Sequence, residues 1–402
     1  MTTLEGLLSE LADVGRDPGT GGYRRFAWSR EDHTLREWFA GQCGRLGLDL
    51  VEDRAGNQWA WWGDPDEQPG VVTGSHLDSV PDGGAFDGPL GVVSALLAVE
   101  RLQAAGAAPR RPLGVVNFVD EEGARFGVAC AGSRIITGAL DPDRARGLRD
   151  ADGMTMAEAW SAAGRDPETL GPDPATLARI SAFVELHVEQ GRALALLDDA
   201  PVAVGTDIWP HGRWRVDLPG RADHAGTTAL EDRDDALLKA ARFIELVRQR
   251  ADEAGTDSGR LVATVGKLAV VPGGINAIAS HATAWLDARG EDETAVKALL
   301  QRLTDEATEL DGVVAEESWT PTTPFSADLV QRVSGALGGE VPQLGTGAGH
   351  DTGILANHGV PTAMLFVRNP TGVSHSPQEH ADAADCEAGV DALTTVLQDL
   401  VR

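Results

Sequence analysis

Four times in this chain a short apolar run ends on a knot of histidines and acids. Gly70–Gly74 runs into Ser75-His76-Leu77-Asp78, and Leu113–Val119 runs into Asp120-Glu121-Glu122. Val184 to Val188 encloses His187 before Glu189 and Gln190, and Pro361–Val367 leads to the loop Gly372-Val373-Ser374-His375. Runs of this length, bounded by Gly, Pro and Asp, read as strands. Gly91–Ala104, between the first two, has helical period, so the order is strand, loop, helix, strand, the crossover unit of a mostly parallel sheet. Such sheets place their chemistry at the carboxyl ends of the strands. The expected fold class is therefore α/β, with the polar knots gathered at one end of a mostly parallel sheet.

The remaining pattern divides the chain. Leu4 to Leu48 reads as two helices around the turn Gly19–Gly22, and Val51–Asp53 and Gln58–Trp62 read as further strands. After His187 the composition shifts: Ala203–Thr206 leads into the alternating run Trp214–Leu218, followed by helix-like Ala236–Ala251, strands near Leu261–Val270 and Thr283–Ala288, and helix-like Glu293–Leu310. That is β, α, β, β, α, a compact α+β unit of about 100 residues. Pro361–Val367 and helical Glu387–Val401 return to the first pattern. The expected organisation is a catalytic domain in two parts, 1–206 and 320–402, interrupted by an inserted domain at 207–319.

Charge narrows the partners. Lys and Arg number 34 against 62 Asp and Glu, a formal net charge of −28. Phosphate backbones and anionic lipid surfaces repel such a chain, so neither nucleic acid nor membrane is expected, and small solutes are. The N-terminal residues carry acids where a secretory leader carries bases, and no run approaches the ~18 apolar residues of a membrane span. Cys43, Cys130 and Cys386 are odd in number and widely spaced, as suits reduced, buried thiols in the cytoplasm.

Each knot has a bland reading alone: His76 as a polar turn residue, the acidic triplet as a solvated face. Acids directly after a buried strand are harder to dismiss, because one carboxylate can bind a cation while its neighbour takes a proton from water. Asp78, two residues after His76, can accept the second ring N–H and fix the tautomer. Together the knots offer three His, one Asp and two Glu, the ligand inventory of a two-metal hydrolase with a bridging carboxylate. Imidazole and carboxylate without thiolate suit Zn²⁺, Mn²⁺, Co²⁺ or Ni²⁺.

The segments GSHLDSVPDGGAFDGPLGV, DEEGARFG, ELHVEQG, GRADHAGTT, GGINAI and GVSHSPQE resemble, in order and spacing, the amidase/hydantoinase/carbamoylase branch of the di-zinc aminoacylase and carboxypeptidase superfamily, over nearly the whole chain. That branch includes N-carbamoyl-L-amino-acid hydrolases, allantoate amidohydrolases and bacterial-type β-ureidopropionases. The resemblance implies a peptidase-like catalytic domain with two divalent metals per subunit, Zn²⁺ first among them, an inserted dimerisation or lid domain, and a homodimer. It makes His76 and His187 ligands of one metal, Glu122 and His375 ligands of the other, Asp87 the bridge and Glu121 the general base. His187 within HVEQG is the carbamoylase form of a motif that carries Asp in most of the superfamily, which argues against a plain peptidase. Gln190, His224, Asn276 and Arg289 fall where the family holds its substrate, with His224 reaching over from the partner subunit to stabilise the oxyanion. His350, in GAGHD, lines the same site in relatives.

Two further expectations concern arginines. The family reads Thr-Arg near the N-terminus, where this chain has Tyr23-Arg24-Arg25-Phe26. Arg25 is expected to bind substrate, and the extra Arg24 suits a substrate with a second carboxylate. Arg289 is expected to clamp the α-carboxylate, with the turn Gly273-Gly274-Ile275-Asn276 presenting Asn276 to the same ligand. The reading is a metal-dependent amidohydrolase of an N-carbamoyl amino acid or allantoate. Alternatives are an N-formyl- or N-formimino-amino-acid hydrolase, an aminoacylase, and a catalytically retired dimeric binding protein.

Overall fold

The computed structural model describes residues 2–197, 200–257 and 260–402. The chain divides into two compact units, Met1–Thr206 with Pro324–Leu344 and Gly349–Arg402, and Asp207–Thr323 with Gly345–Ala348.

The sheet of the first unit runs, in spatial order, Asp49–Glu52, Gln58–Trp62, Leu113–Phe118, Gly70–His76, Ile180–Val188, Thr362–Val367 and Val202–Ile208, with short strands Thr323–Pro324 and Gln343–Thr346 beyond. Its four central strands are parallel, and the flanking pairs are antiparallel. The α/β class with a largely parallel sheet is thus what the chain forms. Gly70–His76 and Leu113–Phe118 are buried along their whole length, as strands covered on both faces must be. Register is what matters for the site: His76 lies opposite Phe118, and His187 opposite Phe366, so the strand ends are level.

Helix Pro89–Ala104 is buried on nearly every side. It packs on Gly70–His76 and Ile180–Val188, with helix Ala383–Leu400 beside it. Pro89 opens it where a missing N–H costs nothing. Trp28, Trp59, Phe118, Phe126, Trp160 and Phe183 build one core cluster. All three cysteines are free and buried. Burial pushes the thiols of Cys43 and Cys386 up to about 12. Short helices Ala131–Thr137, Pro142–Gly147, Met156–Ala162 and Pro174–Ala178 fill a stretch with no visible sequence period, each being too short to show one. Among the described residues no helix is long and apolar enough to cross a membrane.

The second unit is a four-stranded antiparallel sheet in the order Val313–Thr320, His211–Pro219, His281–Gly290, Leu261–Val271. Burial alternates residue by residue along His211–Pro219 and His281–Gly290, the mark of a sheet with one covered face. Trp214, Val216, Leu218, Ala284 and Leu286 share a core with Phe243 and Val247 of helix Ala236–Asp257 and Leu299 and Leu303 of helix Glu293–Glu309. The strand Val313–Thr320 follows the last helix, where the sequence pattern showed none. Its burial pattern is largely exposed, so it lacks the alternation that betrays a half-buried strand.

Candidate functional site

The level strand ends bring the first unit's chemistry together. His76 ends its strand and His187 is the penultimate residue of the neighbouring one. Asp120, at φ 53°, turns the chain sharply after Leu113–Phe118. Asp87 stands just before helix Pro89–Ala104, separated from it by Gly88. A Cβ at Gly88, where φ is +85°, would lie 2.5 Å from Cε1 of His76. Only glycine leaves that ring its place.

Asp87 divides the cluster in two. Its Oδ1 lies 3.2 Å from Nε2 of His187 and 3.7 Å from Nε2 of His76. Its Oδ2 lies 3.4 Å from Nε2 of His375, and that nitrogen is 3.5 Å from Oε2 of Glu122. His76, Asp87 and His187 form one group whose ligand atoms converge, and Asp87, Glu122 and His375 another. On the far side of the rings, Nδ1 of His187 is 2.8 Å from the Val188 carbonyl and Nδ1 of His76 is 3.2 Å from the Asp78 carbonyl. A carbonyl only accepts, so both rings carry a proton at Nδ1.

These residues fit a pair of divalent cations. Nε2 of His76, Nε2 of His187 and Oε1 of Glu122 are buried without a hydrogen-bond partner, which is costly unless something else binds them. Burial opposes a charged His76, yet the carboxylates of Glu121, Asp78 and Glu122 outweigh it and hold the ring well above its usual range. Burial and its acidic neighbours raise Glu122 to about 8. Against the cost of burial, His187, His76 and His375 hold the shared Asp87 carboxylate well below its usual range, so the group common to both ligand sets is an anion. Imidazole and carboxylate ligands around a shared carboxylate suit Zn²⁺, Mn²⁺ or Co²⁺.

The other residues expected here fall into place around this pair. Glu121 is buried; Cys130 donates its thiol to Oε1 at 3.4 Å, while Oε2 lies 3.8 Å from Nε2 of His76. Asp78 accepts the main-chain N–H of Glu121 through Oδ1 and that of Glu122 through Oδ2, at 3.2 and 3.1 Å, and so pins the acidic turn as well as facing His76. Gln190 donates to Oδ2 of Asp87 at 2.8 Å. His350 is buried with its ring centroid 4.6 Å from that of His187; burial, with His187 adding to it, keeps this ring neutral.

Two contributors escaped the sequence reading although both lie inside a quoted motif. Ser374 donates to Oδ2 of Asp87 at 3.2 Å. Glu379 accepts the main-chain N–H groups of Phe86 and Asp87 at 2.8 and 2.9 Å and so fixes the bridging residue's backbone. Only the position after SHSPQ hinted at it.

Arg25 corrects an expectation. The residue is 2 % exposed and its guanidinium is spent inside the first unit, Nε donating to the Val14 carbonyl at 2.9 Å and Nη2 to the Leu11 carbonyl at 2.6 Å, with the Tyr23 ring 4.0 Å away. It caps the end of helix Leu4–Leu11, where unsatisfied carbonyls and the helix dipole favour a cation. Arg24 points elsewhere too, pairing with Asp82 at 3.1 Å and Asp17 at 3.8 Å.

In the second unit His224 and Asn276 meet on a two-stranded ribbon, where Ala277 pairs with His224 and the Asn276 carbonyl accepts from Ala225. Nδ1 of His224 accepts the Gly226 N–H at 3.0 Å. The neutral ring therefore carries its proton at Nε2, as an outward donor. Arg289 stands apart from both. Asn276 lies in the turn beyond the His281 end of strand His281–Gly290, and Arg289 lies at the other end, eight residues along. At about 3.3 Å per residue that is about 26 Å. One small molecule does not span it, so Asn276 and Arg289 of one chain do not hold the same ligand.

Residues 72–399 match the model of peptidase family M20/M25/M40. The chain belongs to that family. It is 37% identical over 398 residues to an N-carbamoyl-L-amino acid amidohydrolase of Geobacillus stearothermophilus, covering 96% of this chain and 95% of that one. It is 32% identical over 408 residues to the allantoate amidohydrolase of Escherichia coli, covering 99% and 97%. The structure of an amidase of the hydantoinase/carbamoylase family from Burkholderia vietnamiensis superposes with a TM-score of 0.85 at 30% identity, covering 99% of this chain and 97% of that one.

Proposed function

We propose that this protein hydrolyses the linear C–N bond of an N-carbamoyl α-amino acid or of allantoate. The observation that carries the reading is the Asp87 carboxylate, shared between two convergent ligand groups with the Glu121 carboxylate beside them, in a chain whose full-length relatives include amidohydrolases of those two substrates. His76, Asp87 and His187 would hold one divalent cation and Asp87, Glu122 and His375 the other, and such ions when bound would supply Lewis acidity toward the scissile carbonyl and lower the pKa of water from about 15.7 to about 7.

The chain's residues do the rest. Glu121 takes the proton of the attacking water and returns it to the departing nitrogen. Cys130, by holding Oε1, leaves Oε2 for that transfer. The Nε2–H of His224 donates to the developing oxyanion, Gln190 and His350 line the acyl portion, and Arg289 receives the α-carboxylate in a bidentate fork. Arg24 gives no support to a dicarboxylate substrate, since Asp82 and Asp17 engage it.

The working form is a homodimer in the cytoplasm, built through the second unit. Among the described residues strand Leu261–Val271 is an edge of its sheet, and its Val262, Leu268 and Val271 are exposed, with Ile275 exposed in the turn beyond. Edges of this kind invite a second chain. The separation of Asn276 and His224 from Arg289 supports the same reading, with the ribbon serving the partner's substrate. The test is release of ammonia, formate or acetate, each from its own substrate, across a panel of N-carbamoyl, N-formyl and N-acetyl amino acids and allantoate. Turnover of the carbamoyl acids or allantoate is expected to lead, and N-formyl or N-acetyl substrates leading instead overturns the assignment.

A further inference from the structure

The guanidinium of Arg289 is already held when no substrate is considered. Nε donates to Oδ1 of Asp287 at 2.6 Å and Nη2 to Oδ2 at 2.8 Å, a side-on fork to one carboxylate. Nη1 donates to the Gly347 carbonyl at 2.8 Å. That carbonyl is itself seated: a Cβ at Gly347 would come 3.0 Å from the Trp209 ring, and the Trp209 N–H donates to Thr346 at 2.8 Å. Arginine has five N–H donors. Three are spent, which leaves one on Nη1 and one on Nη2, the number a carboxylate accepts from a fork.

We infer that Asp287 is a positioning residue for carboxylate recognition, locking Arg289 so that one remaining proton on each Nη is presented to the substrate. The inference rests on the reading of Arg289 as the carboxylate clamp. Preorganisation is what makes it useful: a free arginine loses rotamer entropy when it grips a ligand, and one gripped beforehand does not. Asp287 also governs charge. Arg213 approaches its Oδ2 at 3.5 Å from the neighbouring strand, so Asp287 lies between two guanidiniums and each of them is the other's competitor for it. Burial costs the carboxylate something, and its bonds to Arg289 more than recover it, holding Asp287 below its usual range.

A competing role is open to the same geometry, in which Asp287 occupies the clamp and must be displaced by substrate. The two are separated by the sign of the effect. The test uses the metal-loaded protein with N-carbamoyl-L-alanine and its primary amide, or the best carbamoyl substrate of the panel and its amide. Asp287→Asn is expected to raise KM for the acid by about tenfold with kcat little changed, as the loss of a hydrogen bond to a charged group implies, and to leave the amide unaffected. In an Arg289→Ala background the same change is expected to do nothing more. Asp287→Glu, which keeps the charge but moves it by one methylene, is expected to recover part of the loss. A fall in KM on Asp287→Asn shows displacement and overturns the inference, as do equal losses on acid and amide. If Arg289→Ala itself leaves the preference for acid over amide intact, the clamp reading fails. If Arg289→Ala removes that preference and Asp287→Asn does not, the positioning role alone fails.

Discussion

The candidate metal-ligand cluster and the recognition residues proposed in the second unit are built on opposite terms. His76, Asp87 and His187 are almost wholly buried, at 1, 6 and 1 % exposure, on the ends of packed parallel strands and at the start of a buried helix. His224 on its two-stranded ribbon and Asn276 in the turn beside it are exposed, and Arg289 depends on one carboxylate and one carbonyl for its aim. Ligands need placement within fractions of an ångström, which a close-packed sheet supplies. Recognition residues meet a ligand that differs from one relative to the next, and loops or sheet margins can change without disturbing a core.

That contrast gives an order of expected effects. Exhaustive chelation should abolish activity, since an unassisted water is a poor nucleophile at neutral pH; full turnover by protein shown by metal analysis to be empty would break the comparison at its strongest point. Glu121→Gln should keep its metal and lose about 10³-fold or more in kcat, because an amide accepts no proton, whereas Glu122→Gln should lose metal from one position. The reverse outcome in metal analysis and kinetics would shift the assignment by one residue.

His224→Ala should cost about 10² to 10³ in kcat, the usual worth of one oxyanion donor. Mixing it with Glu121→Gln and allowing subunits to exchange should restore activity, because each mixed dimer then holds one site with an intact Glu121 and an intact His224. No recovery after proven exchange means that His224 serves its own chain. Arg289→Ala should lower kcat/KM for the acid by about 10²-fold, as one-sided loss of a charged hydrogen-bonded pair costs about 2 to 5 kcal/mol, and hardly change the amide. The smallest effect sharpens the contrast by backbone alone. Gly226→Ala is tight, its Cβ falling 3.3 Å from Cε1 of His224, but that ring is exposed and can yield by a few tenths of an ångström, and the change should alter stability by about 0.5 kcal/mol. Gly88→Ala, strained at φ +85° and pressed on His76, should cost about 1 to 3 kcal/mol, read by thermal or denaturant unfolding.

The same contrast explains what the sequence made legible. The strand ends announce themselves, because continuous apolar runs stopping at His or Asp have few other uses, and the parallel sheet followed from the helix between Gly74 and Leu113. Glu379 and Ser374 act on Asp87 across more than 280 residues of chain, and no local pattern reports such a pairing. Arg25 misled for a related reason. An arginine that caps a helix and one that grips a substrate look alike until the direction of the side chain is known. Asn276 and Arg289, thirteen positions apart, were expected together, and an intervening extended strand put them at opposite ends.

The three buried thiols carry a practical consequence. A thiolate is the reactive form, and burial holds Cys43 and Cys386 at about 12 and Cys130 well above its usual range. All three belong to the first unit. The folded protein is therefore expected to react slowly with alkylating dyes, and labelling of the native chain becomes a clock for opening of its first unit. A single cysteine introduced on the exposed face of the second unit would take a fluorophore alone, with no native cysteine needing removal.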